Sequence, residues 1–101
     1  MGLSCQISKN SKEYWCNKGV THALLKFFRD EGFNLCPNDD PNKRSVIISF
    51  DYVYDNRYYI AHDYKDFYKN EGESALFDEF LIFFDAIKEL FANEQVEFYF
   101  C

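Results

Sequence analysis

The order of apolar and polar positions divides the chain into segments with strand-like and helix-like spacing. Leu3, Cys5 and Ile7 alternate with polar residues, which is typical of a short strand with one buried face. The apolar residues at positions 20, 23, 24, 27 and 28 recur with the period of an α-helix. They stop before Gly32, a residue type that commonly ends helices. We therefore predict a first strand followed by a first helix.

A strand with alternating apolar residues is predicted for residues 45–54. Its apolar face comprises Val46, Ile48, Phe50, Tyr52 and Tyr54. Asp55 and Asn56 follow, and because both side chains tolerate positive φ they predict a two-residue hairpin turn. Residues 57–62 would then return as the partner strand. The pattern therefore predicts an antiparallel hairpin in the middle of the chain.

The last third of the chain has the pattern of a long helix followed by a strand. Apolar residues form a broad stripe over residues 74–93, and Ser74 is a suitable N-cap for this helix. Val96, Phe98 and Phe100 then alternate with less apolar residues, which predicts the final strand.

The element order β-α-β-β-α-β predicts an α+β fold. In this fold two helices pack on one face of a four-stranded, mostly antiparallel sheet, which is the ferredoxin-like arrangement. A length of 101 residues suits a single domain spanning residues 1–101. If the first strand does not form, three antiparallel strands with helices on one side remain.

Acidic residues dominate the second half of the chain. The formal charge is −6. Residues 1–50 carry seven basic and five acidic side chains, whereas residues 51–101 carry four basic and twelve acidic ones. An acidic surface repels phosphate backbones and anionic membranes and attracts cations. The charge distribution therefore disfavours direct binding to nucleic acid or membranes and favours a basic partner.

The sequence shows neither an export signal nor a membrane span. The N-terminus lacks a basic stretch followed by an apolar core, and the apolar run over residues 80–84 is too short to cross a bilayer. We therefore expect a soluble, cytoplasmic protein. The cysteines at positions 5, 16, 36 and 101 are predicted to be reduced thiols, because disulfides are rare in reducing compartments.

The sequence contains no recognisable catalytic or metal-binding motif. It has no glycine-rich phosphate loop and no nucleophile motif of the Gly-x-Ser-x-Gly type. His22 and His62, with Cys16 six residues before His22, fit no zinc-ligand spacing. Asp39 and Asp40 lack the alternating ligands and the closing Glu of a calcium loop. We therefore expect a protein that is not an enzyme and binds no metal or other cofactor.

Tyrosine and aspartate are concentrated in residues 51–68, which contain six of the eight tyrosines. Tyrosine combines a rigid apolar ring with a hydroxyl group, which makes it a common anchor at binding surfaces. Neighbouring aspartates would select a basic partner. The alternative is that these tyrosines only pack on the sheet. We predict a partner-binding surface, and its candidate residues are Tyr58, Tyr59, Tyr64, Asp55, Asp63 and Asp66.

In size, acidity and lack of catalytic motifs, the chain resembles the small immunity proteins that bacteria use to neutralise nuclease toxins. The resemblance is general, and no family residue is carried over to this sequence. It implies a non-enzymatic inhibitor that binds a basic toxin. Nuclease toxins have basic clefts for phosphate, and an acidic aromatic surface competes for such a cleft.

Two other functions are compatible with the sequence. One is a phage-encoded inhibitor of the anti-restriction or anti-CRISPR type that mimics nucleic acid, although a charge of −6 is low for duplex mimicry. The other is a small ligand-binding or enzymatic domain with its pocket between the sheet and the helices. If the tyrosine-rich segment is not the contact surface, the acidic second helix with Asp78, Asp85 and Glu89 is the next candidate.

Overall fold

Helices cover one face of a four-stranded antiparallel sheet, which confirms the α+β class. The computed structural model describes residues 3–67 and 73–101, and the side chains of residues 3–63 and 78–101. The elements in chain order are β1 (Cys5–Lys9), β2 (Lys12–Trp15), α1 (Lys18–Asp30), β3 (Ser45–Ser49), α2 (Phe50–Asp55), α3 (Arg57–Phe67), α4 (Glu73–Phe91) and β4 (Gln95–Phe100). The strand order in the sheet is β2-β1-β4-β3, and each neighbouring pair is antiparallel.

One face of the sheet forms the floor of the core. In the strand register Ile7 is opposite Phe98, and Phe98 is opposite Val46, so these side chains point to the same face. The buried residues of this face are Cys5, Ile7, Val46, Val96, Phe98 and Phe100. The ring of Phe28 in α1 packs on Phe98 with 5.0 Å between the ring centroids. The predicted first and last strands are therefore confirmed.

Strand β2 was not predicted from the sequence. It pairs with β1 through a two-residue turn, in which Asn10 has a φ of 57° as hairpin turns require. All four residues of β2 are exposed, so its sequence lacks the apolar alternation that marks a strand with one buried face. Hydrogen bonds to β1 hold this strand in place, and the ring of Tyr14 adds an edge-on contact with Phe91 of α4.

Helix α1 ends at a glycine-dependent cap, as the sequence predicts. Gly32 has a φ of 97°, the N–H of Gly32 donates to the carbonyl of Arg29, and the N–H of Phe33 donates to the carbonyl of Phe28. These two bonds form a Schellman motif, and the rings of Phe28 and Phe33 supply its apolar contact. At the other end the side chain of Asn17 accepts from the N–H of Val20.

The predicted hairpin in the middle of the chain is wrong. The strand predicted over residues 45–54 ends at Ser49, and α2 begins at the next residue. Asn56 ends α2 with a φ of −93° and does not form a hairpin turn. The predicted partner strand over residues 57–62 lies within α3. The described part of the chain still has a four-stranded sheet because β2 supplies the fourth strand, but it has four helices instead of the predicted two, and the ferredoxin-like order does not hold.

Residues 50–61 fit both the two-residue period of a strand and the 3.6-residue period of a helix, and the burial of their side chains shows which of the two forms. The alternation expected of a strand continues past Ser49, but the residues that are buried are Phe50, Val53, Ile60 and Ala61. Their spacing of three, seven and one residues is that of a helical face. The helical arrangement buries all four residues, whereas a strand would send Phe50 and Val53 to opposite faces of the sheet.

Helix α4 supplies the aromatic centre of the core, and the predicted second helix is confirmed. Phe84 stacks on Phe80 with 4.9 Å between ring centroids and on Phe50 at 5.8 Å. Phe91 lies 5.7 Å from Phe50. The predicted N-cap, Ser74, is instead the second residue of α4, and its side chain lies outside the described part. In the part of the chain that the structure describes, none of the helices is both long enough and apolar enough to cross a membrane.

Replacing Phe98 by alanine should cost about 3–5 kcal/mol of unfolding free energy, because it removes a fully buried ring and leaves a cavity under Phe28. Urea denaturation measures the loss. The matched control is Tyr99→Ala, since Tyr99 is the next residue of β4 and points to the opposite, half-buried face. Equal losses for the two variants would show that the core lies elsewhere.

Cys5 should be the least reactive of the four free thiols. Cys16 continues the β1–β2 register opposite Cys5, with its N–H donating to the carbonyl of Cys5 at 2.8 Å. The contact with the Cys16 thiol and burial both raise the pKa of Cys5, so its reactive thiolate is suppressed. Timed alkylation followed by mass spectrometry should modify the exposed Cys101 first and Cys5 last. Equal rates for Cys5 and Cys101 would contradict this arrangement.

Candidate functional site

The structure places the predicted contact residues on helices rather than on a hairpin. Asp55 is the last residue of α2, and Tyr58, Tyr59 and Asp63 lie in the first two turns of α3. Tyr58 is 57% exposed and Tyr59 is 59% exposed, so neither ring is needed to fill the core. The other two candidates, Tyr64 and Asp66, belong to α3, but their side chains lie outside the described part.

The ring of Tyr59 packs against α1. Its centroid lies 6.3 Å from that of Phe27 in an edge-on arrangement, and Tyr52 of α2 lies 6.2 Å from Phe27 on a tilted plane. Phe27 is buried, so it forms a fixed base for two exposed rings. Tyr52 donates from its hydroxyl to Glu31 at 2.6 Å, and this bond raises the pKa of Tyr52.

Two depressions flank Tyr59. The first has a volume of about 240 Å³, and its lining residues are Phe27, Asp30, Glu31, Asn56 and Tyr59. The second is a more open groove of about 380 Å³, and its lining residues are Tyr58, Tyr59, His62 and Asp63. We refer to the first as the Tyr59 cleft and to the second as the Tyr59 groove. Tyr59 lines both, so its ring is the shared wall.

Carboxylates surround Tyr59, and one lysine links two of them. Lys26 Nζ donates to Asp30 Oδ2 at 2.8 Å and to Asp63 Oδ2 at 2.7 Å. Hydrogen bonds to Asp30 and Asp63 raise the pKa of Lys26, so it stays charged. Glu31 adds a third carboxylate. Lys26 pairs with Asp30 and Asp63, so its single charge leaves a negative excess among the three carboxylates that line the cleft and the groove.

The charges at the end of α1 add to this negative potential. The C-terminus of a helix carries roughly half a negative charge from its aligned peptide dipoles, which favours cations there. Asp30 is the last residue of α1 and Glu31 is its C-cap, so two acidic residues lie where the dipole disfavours them. Arg29 lies in the same turn, but its Nε donates to the carbonyl of Leu35. The ion pair between Asp30 and Lys26, four residues earlier on α1, offsets part of this cost.

Sequence reasoning missed the α1 side of this site. The sequence pattern places Phe27 in the apolar stripe of the first helix and predicts no role for Asp30 or Glu31. Asn56 was assigned to a hairpin turn. The one local signal was the pair of acidic residues at a helix C-terminus, where a basic pair is expected. That signal indicates which residues are unusual but not which segment of the chain they face.

Tyr58 and Asp55 are less suited to meet a partner's cation. The guanidinium carbon of Arg57 lies 4.7 Å from the ring centroid of Tyr58 and 3.9 Å from that of Tyr54, so one face of Tyr58 already holds a cation. Asp55 lines a different cleft of about 300 Å³ together with Lys88. Of the predicted set, Tyr58, Tyr59 and Asp63 line the Tyr59 cleft or groove, and Tyr59 lines both.

The next candidate surface, on α4, is partly engaged within the fold. Asp85 Oδ1 accepts from the hydroxyl of Tyr54 at 2.8 Å. Glu89 lines the same mixed-charge cleft as Lys88. Asp78 is exposed. Among the described side chains, Asp85 and Glu89 lie near the half-buried ring of Tyr54 rather than near a ring as exposed as that of Tyr59.

Comparison with known proteins does not indicate what this surface binds. No protein-family model matches the chain, and neither curated proteins nor solved structures give a significant match.

The Tyr59 cleft is chemically a site for cations and hydrogen-bond donors. Its lining supplies two carboxylates, an amide and a phenol, and these five residues include no thiol or imidazole. Among the described residues, no three His, Cys, Asp or Glu side chains come together to hold a metal ion. His22 lies on α1, and burial together with Lys18 lowers its pKa. The cleft can hold a basic group, and its five residues provide no nucleophile–base pair.

Replacing Asp63 by asparagine should leave the fold intact and cost less than about 1 kcal/mol of unfolding free energy. The reason is that the Lys26–Asp63 pair is partly exposed, and Lys26 keeps Asp30 as a partner. Urea denaturation of Asp63→Asn beside Asp55→Asn checks this expectation. A loss above about 3 kcal/mol for Asp63→Asn alone would make Asp63 a structural anchor rather than an available contact residue.

Proposed function

We propose that this protein is a cytoplasmic, non-enzymatic inhibitor that binds a basic protein partner through the Tyr59 cleft and groove. The partner class that fits best is a nuclease toxin, so the proposed role is that of an immunity protein. The observation that carries the proposal is one exposed ring, Tyr59, that separates two depressions lined by Asp30, Glu31 and Asp63.

The cleft suits the end of one basic side chain. Its volume of about 240 Å³ is below the 300–1,000 Å³ that is usual for small-molecule pockets. A guanidinium group can bond a carboxylate through two parallel N–H groups and stack on an aromatic face. Asp30 Oδ2 accepts from Lys26 and Glu31 Oε1 accepts from Tyr52, so each carboxylate offers its other oxygen to such a group, and Tyr59 supplies the ring. A partner arginine is the ligand that uses all three.

The groove on the other side of Tyr59 favours a protein partner over a free small molecule. Interface hot spots are enriched in tyrosine and lie in patches that a polar rim protects from water. Tyr58 and Tyr59 offer two exposed rings, with His62 and Asp63 at the edge. A chain of net charge −6 also attracts a basic partner over long range and accelerates the encounter.

A nuclease toxin is a partner of the required chemistry because its active cleft is basic in order to hold phosphate. An acidic surface with a protruding ring would block that cleft without any chemical step. The charge distribution supports this proposal because twelve of the seventeen acidic residues lie in residues 51–101. Carboxylates at the end of α1 extend the acidic surface into the first half of the chain.

The function is tested by identifying a partner and then measuring its affinity for variants. Affinity capture from native lysate identifies candidates, and a toxin gene beside this gene would name one directly. With the purified partner, Tyr59→Ala should weaken binding by about 30-fold or more, which corresponds to about 2 kcal/mol. The melting temperature of the Tyr59→Ala variant should change little, because the ring of Tyr59 is 59% exposed.

Trp15→Ala is the matched control, since Trp15 is 56% exposed and lies on β2 rather than on the α1–α3 surface. It should bind like the wild type. The association rate should also fall as salt rises, because exposed charges are screened beyond roughly 8 Å at physiological ionic strength. Normal affinity of Tyr59→Ala together with a salt-independent rate would contradict the proposal.

A further inference from the structure

Two cysteines lie directly opposite each other at the start of the paired strands β1 and β2. The register aligns Gln6 with Trp15, and its next step aligns Cys5 with Cys16. A backbone hydrogen bond fixes this step, because the N–H of Cys16 donates to the carbonyl of Cys5 at 2.8 Å. Opposite residues on antiparallel strands project to the same face of the sheet. The two thiols therefore face each other, and they are in contact.

The spacing of such a pair allows a disulfide, although a strained one. Opposite residues joined by backbone hydrogen bonds have Cα atoms about 5.5 Å apart, which is within the range of about 4.4–6.8 Å found for disulfides. Their Cβ atoms are about 4.5–5.5 Å apart, whereas a disulfide needs about 3.5–4.5 Å. Closing the bond therefore draws β2 toward β1. Strained disulfides are reduced more easily than relaxed ones, so this bond is expected to be reversible.

The two thiols differ in their access to solvent, and this difference sets the order of the steps. Cys5 is fully buried, whereas Cys16 is half-buried at the edge of the core. An oxidant from solution therefore meets Cys16 first. Cys5 lies directly behind it and can attack the oxidised sulfur. The contact with Cys16 and burial raise the pKa of Cys5, which disfavours Cys5 as the first thiol to react.

The other two cysteines are placed less well to join Cys5. Cys101 lies opposite Ser4, and the two residues exchange backbone hydrogen bonds of 2.8 and 2.9 Å. Because successive residues of a strand project to opposite faces, this pairing directs Cys101 to the face opposite Cys5, where it is exposed. Cys36 lies in the loop between α1 and β3, and its N–H donates to the carbonyl of Lys43.

We propose that Cys5 and Cys16 form a reversible disulfide when the protein meets a hydroperoxide, which cross-links β1 to β2. The Cys16 thiolate attacks one oxygen of hydrogen peroxide, the O–O bond breaks, and Cys16 becomes a sulfenic acid while hydroxide leaves. The Cys5 sulfur then attacks the Cys16 sulfur, loses its proton and displaces the hydroxyl group as water. In total the two thiols lose two electrons and two protons, and one peroxide becomes two waters.

Peptide mapping without reductant tests for this bond. Trypsin cleaves after lysine, so Cys5 falls on peptide 1–9 and Cys16 falls on peptide 13–18. The reduced full chain is treated with equimolar hydrogen peroxide, unfolded, alkylated and digested. The wild type should give these two peptides joined and two hydrogens lighter than their sum, with the other two cysteines alkylated. Treatment with dithiothreitol before alkylation should restore four alkylated cysteines.

Two variants identify the thiols that react. Cys16→Ser should abolish the cross-link and leave Cys5 open to alkylation in the unfolded chain. Cys36→Ser is the matched control and should form the cross-link at the wild-type rate. Joining of Cys5 mainly to Cys101, or a product that runs as a dimer on a non-reducing gel, would overturn the proposal. Oxidation of Cys16 to the sulfinic acid while Cys5 stays fully alkylated would also overturn it.

Discussion

The arrangement of this protein depends on the burial of four apolar residues in the segment after β3. Phe50, Val53, Ile60 and Ala61 are almost fully buried, and only a helical spacing brings all of them to one side. Their burial turns the chain away from the sheet directly after Ser49 and produces two consecutive helices. As a result, the strand predicted over residues 57–62 does not form. The fourth strand of the sheet is instead the exposed strand β2, at the edge opposite β3.

The candidate site also depends on the helical conformation of this segment. Because residues 57–67 are helical, α3 packs beside α1, and Tyr59 meets Phe27 rather than a neighbouring strand. The acidic end of α1 then lies beside the exposed tyrosines of α2 and α3. In a hairpin, the tyrosines would have been distributed over two faces, and the carboxylates of α1 would have had no defined relation to them. The buried ring of Phe27, the carboxylates of α1 and the exposed tyrosines therefore lie together because residues 57–67 form a helix.

The sequence predicted elements whose periodicity and termini agree, and it failed where two periods coincide. Helix α1 was predicted well because its apolar stripe and Gly32 point to the same end. Strand β2 was missed because all of its residues are exposed, so no burial pattern exists. The tyrosine-rich segment was recognised as a surface from composition alone. Its partner residues on α1, Asp30 and Glu31, depend on tertiary packing that no local pattern encodes.

The most direct measurement is an NMR study of the free protein over residues 50–63. The Cα chemical shifts should be helical throughout α2 and the start of α3, and the ring protons of Phe27 and Tyr59 should show a nuclear Overhauser effect, since their centroids lie 6.3 Å apart. Both the fold and the proposed cleft require these two observations. Extended shifts over residues 57–62, with cross-strand contacts between Tyr52 and Tyr59, would restore the hairpin and remove the cleft.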